Sequence, residues 1–450
     1  MAANDQEIRT GDKGCFAPYP IPLLALGAWS RHGRGHDLWW DLVSLNPDEL
    51  SDFSIRARPE GFGWLDSGPP AYELPELLKM ADGTPVEAAE QWPARRAELL
   101  ALFTDQMFGA APRSSGFKIE VFEERDSVLD GLANRRQVRI DFYGEPGSPG
   151  MDMLIYTPAA ATKPVPAFLG LNFRGNYGIH PDPGIKLSDG WTLRTPGWVP
   201  GRRGQSQSRW QLEKVLSRGY ALATICYGDI DPDYDDGFEN GVHGLAPLPG
   251  PGDWGSVAAW AWGLSRALDY LEFMPAVDAS RVCVLGHSRL GKAALWAGAA
   301  DERFAMVIPV NSGGCGAALA RHLSGETVEI CNVRFPHWFC GNYKAFNGRE
   351  NDLPFDQHML LALVAPRPVY VASGADDGWA DPHGEFLATR AAGPAYELLG
   401  KRSLRIAARP PVDKPVMNDV GYHVRTGGHA VTEYDWQCFL DFADLHLTGP

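Results

Sequence analysis

An α/β fold with a mostly parallel central sheet and helices on both faces is predicted for this chain by three observations. Pro166 to Asn172 and Tyr220 to Tyr227 are near-continuous apolar runs of strand length, as expected of strands buried on both faces. They alternate with helix-forming stretches, Trp210 to Arg218 and Trp254 to Phe273, and such alternation specifies a doubly wound, mostly parallel sheet, here a three-layer αβα sandwich. Between these elements and the carboxyl-terminal third stands Val282-Cys-Val-Leu-Gly-His-Ser-Arg-Leu-Gly-Lys-Ala-Ala-Leu-Trp296. It reads as four apolar residues, then Gly-His-Ser, then good helix formers.

A buried strand that turns sharply into a helix with Ser288 at the corner is the nucleophile elbow of an α/β-hydrolase. The turn forces the serine backbone into a strained conformation, and Gly286 and Gly291 let strand and helix approach closely. The spacing is a variant of Gly-x-Ser-x-Gly, because Leu290 stands two after the serine and glycine arrives one residue later.

The remaining elements follow in order. Residues 1–85 are rich in Pro, Gly and Trp without a sustained period, and read as an irregular extension wrapping the surface of a single catalytic domain over 86–450, with Trp39, Trp40 and Trp64 pinning it. Gln91 to Phe108 has helical spacing and ends at Gly109 and Pro112. Phe117 to Arg125, Asn134 to Tyr143 and Met151 to Thr157 alternate apolar and polar residues, which suits an antiparallel edge with one solvated face.

The run 176–209, with its prolines and the pair Arg202 and Arg203, reads as an active-site wall. Asp229 to Pro251 is a second long loop, acidic and Gly-rich, equally consistent with a solvated excursion. Asp253 is expected to cap the helix that starts at Trp254. Phe304 to Pro309 and Val369 to Ala372 supply two more strands, and Thr432 to Leu447 the last helix.

Composition narrows the function classes. With 450 residues and 44% hydrophobic content, the chain can bury a large core. A formal charge of −15 without Lys/Arg blocks speaks against nucleic acid or an anionic membrane as partner, and an anionic substrate would need local positive groups. Aromatic residues make up 11%, which suits carbohydrate stacking as well as core packing. Seven scattered cysteines without a Cys-x-x-Cys pair define neither a disulfide scaffold nor a zinc site, although Cys315, Cys331 and Cys340 leave room for one bridge if the protein is exported. No signal peptide is visible at the amino terminus, so the expectation is a cytoplasmic chain as written, or a secreted or periplasmic one if a leader was removed, and no stretch approaches the ~18 uninterrupted apolar residues of a membrane span.

A serine hydroxyl becomes a nucleophile when an oriented base takes its proton, and in this fold the chain order is serine, acid, histidine. After Ser288 the histidines are His322, His337, His358, His383, His423, His429 and His446. His429 is the expected base, since Arg425-Thr-Gly-Gly-His-Ala is a Gly-rich loop between a strand end and the last helix. Ser373-Gly-Ala-Asp-Asp-Gly-Trp-Ala-Asp-Pro382 offers the acid: Asp377, with Asp376 as the fallback and Asp381 read as a helix cap. The earlier strand end offers Asn311, an amide unable to carry the negative charge the role needs.

Assembled, these residues resemble the bacterial branch of the glucuronoyl esterases, carbohydrate esterase family 15. The resemblance rests on Gly286-His-Ser-Arg-Leu-Gly-Lys292, Arg334-Phe-Pro-His-Trp-Phe-Cys340, Asp356-Gln-His-Met-Leu360, Ala365-Pro-Arg-Pro-Val-Tyr370, Trp379-Ala-Asp-Pro382 and Gly427-Gly-His429. It implies hydrolysis of the ester between 4-O-methyl-glucuronic acid on xylan and a lignin alcohol, with no metal or cofactor. It also implies that Arg289 brings its guanidinium to the oxyanion, that Lys292 and Glu326 meet sugar hydroxyls, and that Trp379 walls the sugar site. Many members carry the acid where Asn311 stands here, whereas others use the later loop of Asp377. The alternatives are another carbohydrate esterase, such as one acting on acetyl xylan, and a binding relative without catalysis.

Overall fold

The computed structural model describes residues 71–112, 117–142, 149–188, 201–245 and 252–448. Trp39, Trp40, Trp64, Cys15 and most of the expected extension lie outside the described residues. Its described end, from residue 71 on, is without helix or strand, but Leu77 and Val86 are buried, and Arg95 donates to the carbonyls of Leu77 and Glu76.

Helix α1 (Trp92–Phe103) carries a proline in its first turn, where the missing N–H is no loss, and passes through one π-helical turn to Gly109. Strands β1 (Phe117–Val128), β2 (Ala133–Phe142) and β3 (Gly150–Pro158) form an antiparallel meander. Strand β4 (Val165–Asn172), short helices α2 (Gln207–Trp210) and α3 (Leu212–Ser217), strand β5 (Ala221–Cys226) and the turn α4 (Tyr227–Ile230) follow. Helix α5 (Ser256–Leu271), strand β6 (Val277–His287), helix α6 (Arg289–Ala300) and strand β7 (Met306–Val310) make the centre. Beyond them lie α7 (Val328–Arg334), α8 (Gln357–Ala362), β8 (Val369–Gly374), α9 (Pro382–Ala391), α10 (Gly393–Leu398), β9 (Val416–Met417), β10 (Val420–Arg425) and α11 (Glu433–Leu447).

One ten-stranded sheet results, in the order β1-β2-β3-β5-β4-β6-β7-β8-β10-β9, and the run from β5 to β10 is parallel throughout. Side chains alternate across it. On β6, Val282 and Val284 enter one core with α5 and α6, while Cys283 and Leu285 enter the other with Trp436 and Phe439 of α11. This is the three-layer α/β-hydrolase sandwich.

Two expectations fail for stated reasons. Strand β3 has no solvated face: it pairs with β2 and β5, lies inside the sheet and is buried at every residue. Exposure is confined to β1 at the edge, where Ile119, Val121 and Phe122 face water. Nor does Asp253 cap α5. Its backbone bridges to Ala110, Gly255 is the cap residue, and the first helical N–H groups are satisfied by the carbonyls of His337 and Trp338. The last helix is capped by its own sequence, since Thr432 and Asp435 exchange the two bonds of a capping box.

Candidate active site

Ser288 joins β6 to α6 at φ 60° and ψ −131°, a conformation that costs a non-glycine residue roughly 1–3 kcal/mol. Neighbouring backbone holds it there. Its N–H donates to the carbonyl of Val310 at 2.9 Å, and its own carbonyl accepts from Gly291 and Lys292 at 2.8 and 3.2 Å. A Cβ at position 286 would stand 2.0 Å from the carbonyl oxygen of Leu290, so glycine is required where the strand passes the first helical turn.

The ends of three adjacent strands converge on one carboxylate. His429 follows β10, and its Nδ1 lies 2.6 Å from Oδ2 of Asp377, which follows β8. Asn311, which follows β7, donates from Nδ2 to the same oxygen at 2.5 Å, and the Ala380 N–H donates to Oδ1 at 3.2 Å. The two loops are tied together through backbone, from Ala375 to Arg425 at 2.8 Å and from Asp376 to Gly427 at 3.0 Å. A carboxylate only accepts, so Nδ1 carries the proton and Nε2 keeps a lone pair. Burial would raise the Asp377 carboxyl, but His429 and the bonds from His429 and Asn311 outweigh it and hold the group below the ordinary carboxylate range.

The competing residues have other places. The Asp376 side chain is exposed, whereas Asp377 is buried. Asp381 caps α9 and bonds His322 Nδ1 at 2.6 Å. His337 bonds Asp233, His358 the carbonyl of Pro75, His423 both Tyr370 and Asp435, and His446 the carbonyl of Asn418. The ring of His383 packs on those of His322 and Phe386. His287, beside the serine, accepts from Arg209 on Nδ1 at 2.8 Å and packs its ring 4.5 Å from that of His429. Burial first, then the positive neighbours, depress its pKa well below the ordinary value and keep it neutral.

Cations gather on the first turns of α6. Arg289 pairs with the carboxylate of Asp233 and lies over the rings of Trp338 and Phe335, 5.0 and 5.5 Å from their centroids. Asp233 is itself held by Tyr227 Oη at 2.9 Å, His337 Nε2 at 3.0 Å and Trp338 Nε1 at 2.8 Å. Burial opposes its charge, yet Arg289 and His337 hold its pKa far below the usual range. The first part of the Asp229 to Pro251 loop is thus no solvated excursion: Asp229 and Asp231 are buried, the carboxylate of half-buried Asp233 is shielded from water, and the loop delivers the counter-charge of Arg289. Residues 246–251 lie outside the described residues.

Lys292 is 1% exposed and donates to the carbonyl of Ser312 at 2.5 Å and to Glu326 Oε2 at 2.6 Å. The Glu326 N–H donates to the carbonyl of Trp379 at 3.1 Å, and the half-buried Trp379 ring faces the Arg334 guanidinium at 5.8 Å. Lys292, Glu326 and Trp379 therefore form one connected group. Asp233 and the donor role of Asn311 escaped sequence reading. The clustering of acids in Asp229 to Asp236 was a signal for the first, but no spacing rule ties it to Arg289.

Cys226, Cys283, Cys315, Cys331, Cys340 and Cys438 are free thiols, so the expected room for a bridge is not used. Among the described residues no group of three His, Cys, Asp or Glu converges as a metal site, and no helix is long and apolar enough to cross a membrane.

A family model described as "Glucuronyl esterase, fungi" matches residues 249–400. The chain is 46% identical to "Carbohydrate esterase MZ0003" from an unknown prokaryotic organism, over 88% of this chain and 95% of that protein. It is 28% identical to the 4-O-methyl-glucuronoyl methylesterase of Schizophyllum commune, over 73% of this chain and 74% of that one. The solved glucuronoyl esterase from Solibacter usitatus superposes with a TM-score of 0.81 at 47% identity, covering 85% of this chain and all of that structure. By its elbow, its sheet order and identity at this level across most of its length, the chain belongs to the glucuronoyl esterases of carbohydrate esterase family 15.

Proposed function

We propose that the chain hydrolyses esters of 4-O-methyl-glucuronic acid, the links between glucuronoxylan and lignin alcohols, through an acyl-enzyme on Ser288. The observation that best supports this reading is the 2.6 Å pair of His429 and Asp377, whose histidine ring packs on the residue next to the serine. His429 Nε2 takes the Ser288 proton as Oγ attacks the uronoyl carbonyl, and the tetrahedral oxyanion forms beside the Arg289 guanidinium and backbone N–H groups. The C–O bond to the alcohol breaks, His429 gives its proton to the leaving oxygen, and water then cleaves the acyl-enzyme by the same steps. Asp377 stabilises the imidazolium in both halves, with Asn311 fixing the carboxylate.

Arg289 is well suited to its role, because its charge is permanent and Asp233 with two aromatic rings fixes its position. Glu326 accepts from sugar hydroxyls, Lys292 acts chiefly by fixing Glu326, and Trp379 walls the sugar site. Such a group suits a sugar acid and is superfluous for acetate.

The test is turnover of benzyl glucuronate and of p-nitrophenyl acetate by the wild type and Ser288→Ala. Turnover of the first and not the second, abolished by Ser288→Ala, supports the proposal. Turnover of acetate alone moves the substrate to acetyl groups, and binding without turnover of either ester overturns catalysis.

A further inference from the structure

Glu385 sits on α9 with 0% of its surface exposed, and its hydrogen-bonding partners are all neutral. Ser312 Oγ and the Gly313 N–H reach Oε1 at 3.2 and 3.0 Å, and Ser373 Oγ lies 2.6 Å from Oε2. Ser312 and Gly313 directly follow Asn311, and Ser373 stands at the end of β8 just ahead of Asp377. One carboxyl thus braces the two segments whose Asn311 and Asp377 meet at 2.5 Å. Tyr422 of β10 is tied to the start of the same helix, its hydroxyl donating to the carbonyl of Pro382 at 2.8 Å.

A neutral acid satisfies this network completely. Oε2 lies 2.6 Å from Ser373 Oγ, a hydroxyl able to accept from a protonated acid, while Oε1 accepts from Ser312 Oγ and the Gly313 N–H. An ionised carboxylate would be a buried charge with no cation to pair it, in a site already near the charge of Asp377. Burial, aided by Asp377, pushes the carboxyl up to about 8 against the bonds from Ser373, Gly313 and Ser312.

We infer that Glu385 is a positioning residue for the Asp377–His429 pair, a neutral acid that sets the spacing of the strand ends carrying it. The inference rests on the reading of Asp377 as the acid of the triad. The charged or titratable groups around the brace are Asp377 on the loop after β8, Tyr422 on β10, Asp381 with His322 at the start of α9, and the Lys292–Glu326 pair beyond Ser312.

The direction of the pH effect follows. Ionisation near pH 8 places a second negative charge behind Asp377, which favours the imidazolium of His429, the form that cannot act as base. For stability, the folded carboxyl titrates above its ordinary value of 4.5, so the unfolded chain binds fewer protons between about 4.5 and 8 and stability falls as pH rises through that window.

Glu385→Gln copies the neutral acid, with Nε2 donating to Ser373 and Oε1 accepting from Gly313. It is expected to keep kcat within about twofold of wild type at pH 6, to lose the alkaline fall of kcat near pH 8, and to gain Tm over wild type as pH rises from 5 to 8. Glu385→Ala is expected to lower kcat about tenfold or more with KM little changed. The inference is overturned if Gln is as impaired as Ala at pH 6, if Gln keeps the alkaline fall, or if its Tm difference does not change with pH. Should Ala fail to fold, the Gln profile and melts decide. Asp377→Asn is the control: full activity there would sink the triad reading, while the melts would still judge the protonation of Glu385 by themselves.

Discussion

Where β7, β8 and β10 end, the buried carboxylate of Asp377 faces an amide and an imidazole. On the first turns of α6, the buried carboxylates of Asp233 and Glu326 face a guanidinium and an ammonium. Both regions bury acids against hydrogen-bond donors, but only in the first is the donor proposed to take up and return a proton during the reaction. In the proposed cycle the charge next to Asp377 therefore appears and vanishes, while that next to Asp233 and Glu326 is constant. A site that must stabilise a transient oxyanion and a transient imidazolium needs both kinds: a fixed field on one side and a responsive pair on the other.

The comparison breaks most sharply at Asp377. Asp377→Asn should lower kcat on benzyl glucuronate by about 10³–10⁴, since it removes the charge that supports the imidazolium and the acceptor that fixes its tautomer. Asp376→Asn, on an exposed side chain, should stay near wild type, and equal losses in the two variants would erase the distinction. On the fixed side, Arg289→Met should cost about 10²–10³ in kcat, the scale of a lost oxyanion donor. Asp233→Asn should cost less and act through a loosened Arg289; steady-state kinetics of both rank them.

The second fixed pair sharpens the contrast through stability. Lys292→Met leaves Glu326 buried without its cation and should lower unfolding free energy by about 3–5 kcal/mol. The double variant Lys292→Met/Glu326→Leu should recover much of that loss while KM for the uronate rises, as read by urea denaturation and kinetics. The smallest effect is acid sensitivity. Asp377 and Asp233 have folded pKa values depressed below 3.8, so their contribution is complete above that pH and is lost as pH falls through the folded values. Melts between pH 2 and 5 should show Asp233→Asn and Asp377→Asn losing less Tm on acidification than wild type.

How much of this was legible in the sequence depends on the range of each contact. The elbow is local: strand, Gly286, Ser288 and helix are contiguous, so composition alone places them. His429 and Asp377 are 52 residues apart, yet each follows a strand end in a Gly-rich loop, and the chain order of the fold makes them meet. Arg289 and Asp233 are 56 residues apart and Asn311 and Asp377 are 66 apart, with no order rule linking them. Helical or strand periodicity cannot see such pairs. Asn311 was set aside for lacking charge, an argument that considers only the acid's role and is blind to the donor. β3 misled because alternation records which residues are polar and not whether neighbouring strands cover them.

The alternation of β6 has a further consequence, for inheritance. Its odd and even residues feed two cores, and its last residue precedes Ser288. Losing one residue would send Val282 and Val284 into the space shaped for Cys283 and Leu285 and the reverse. Losing two would restore the faces but draw the serine back by about 6.6 Å, out of reach of its base. The strand beneath the serine is a ruler of fixed length, and variation there is confined to the identity of its residues.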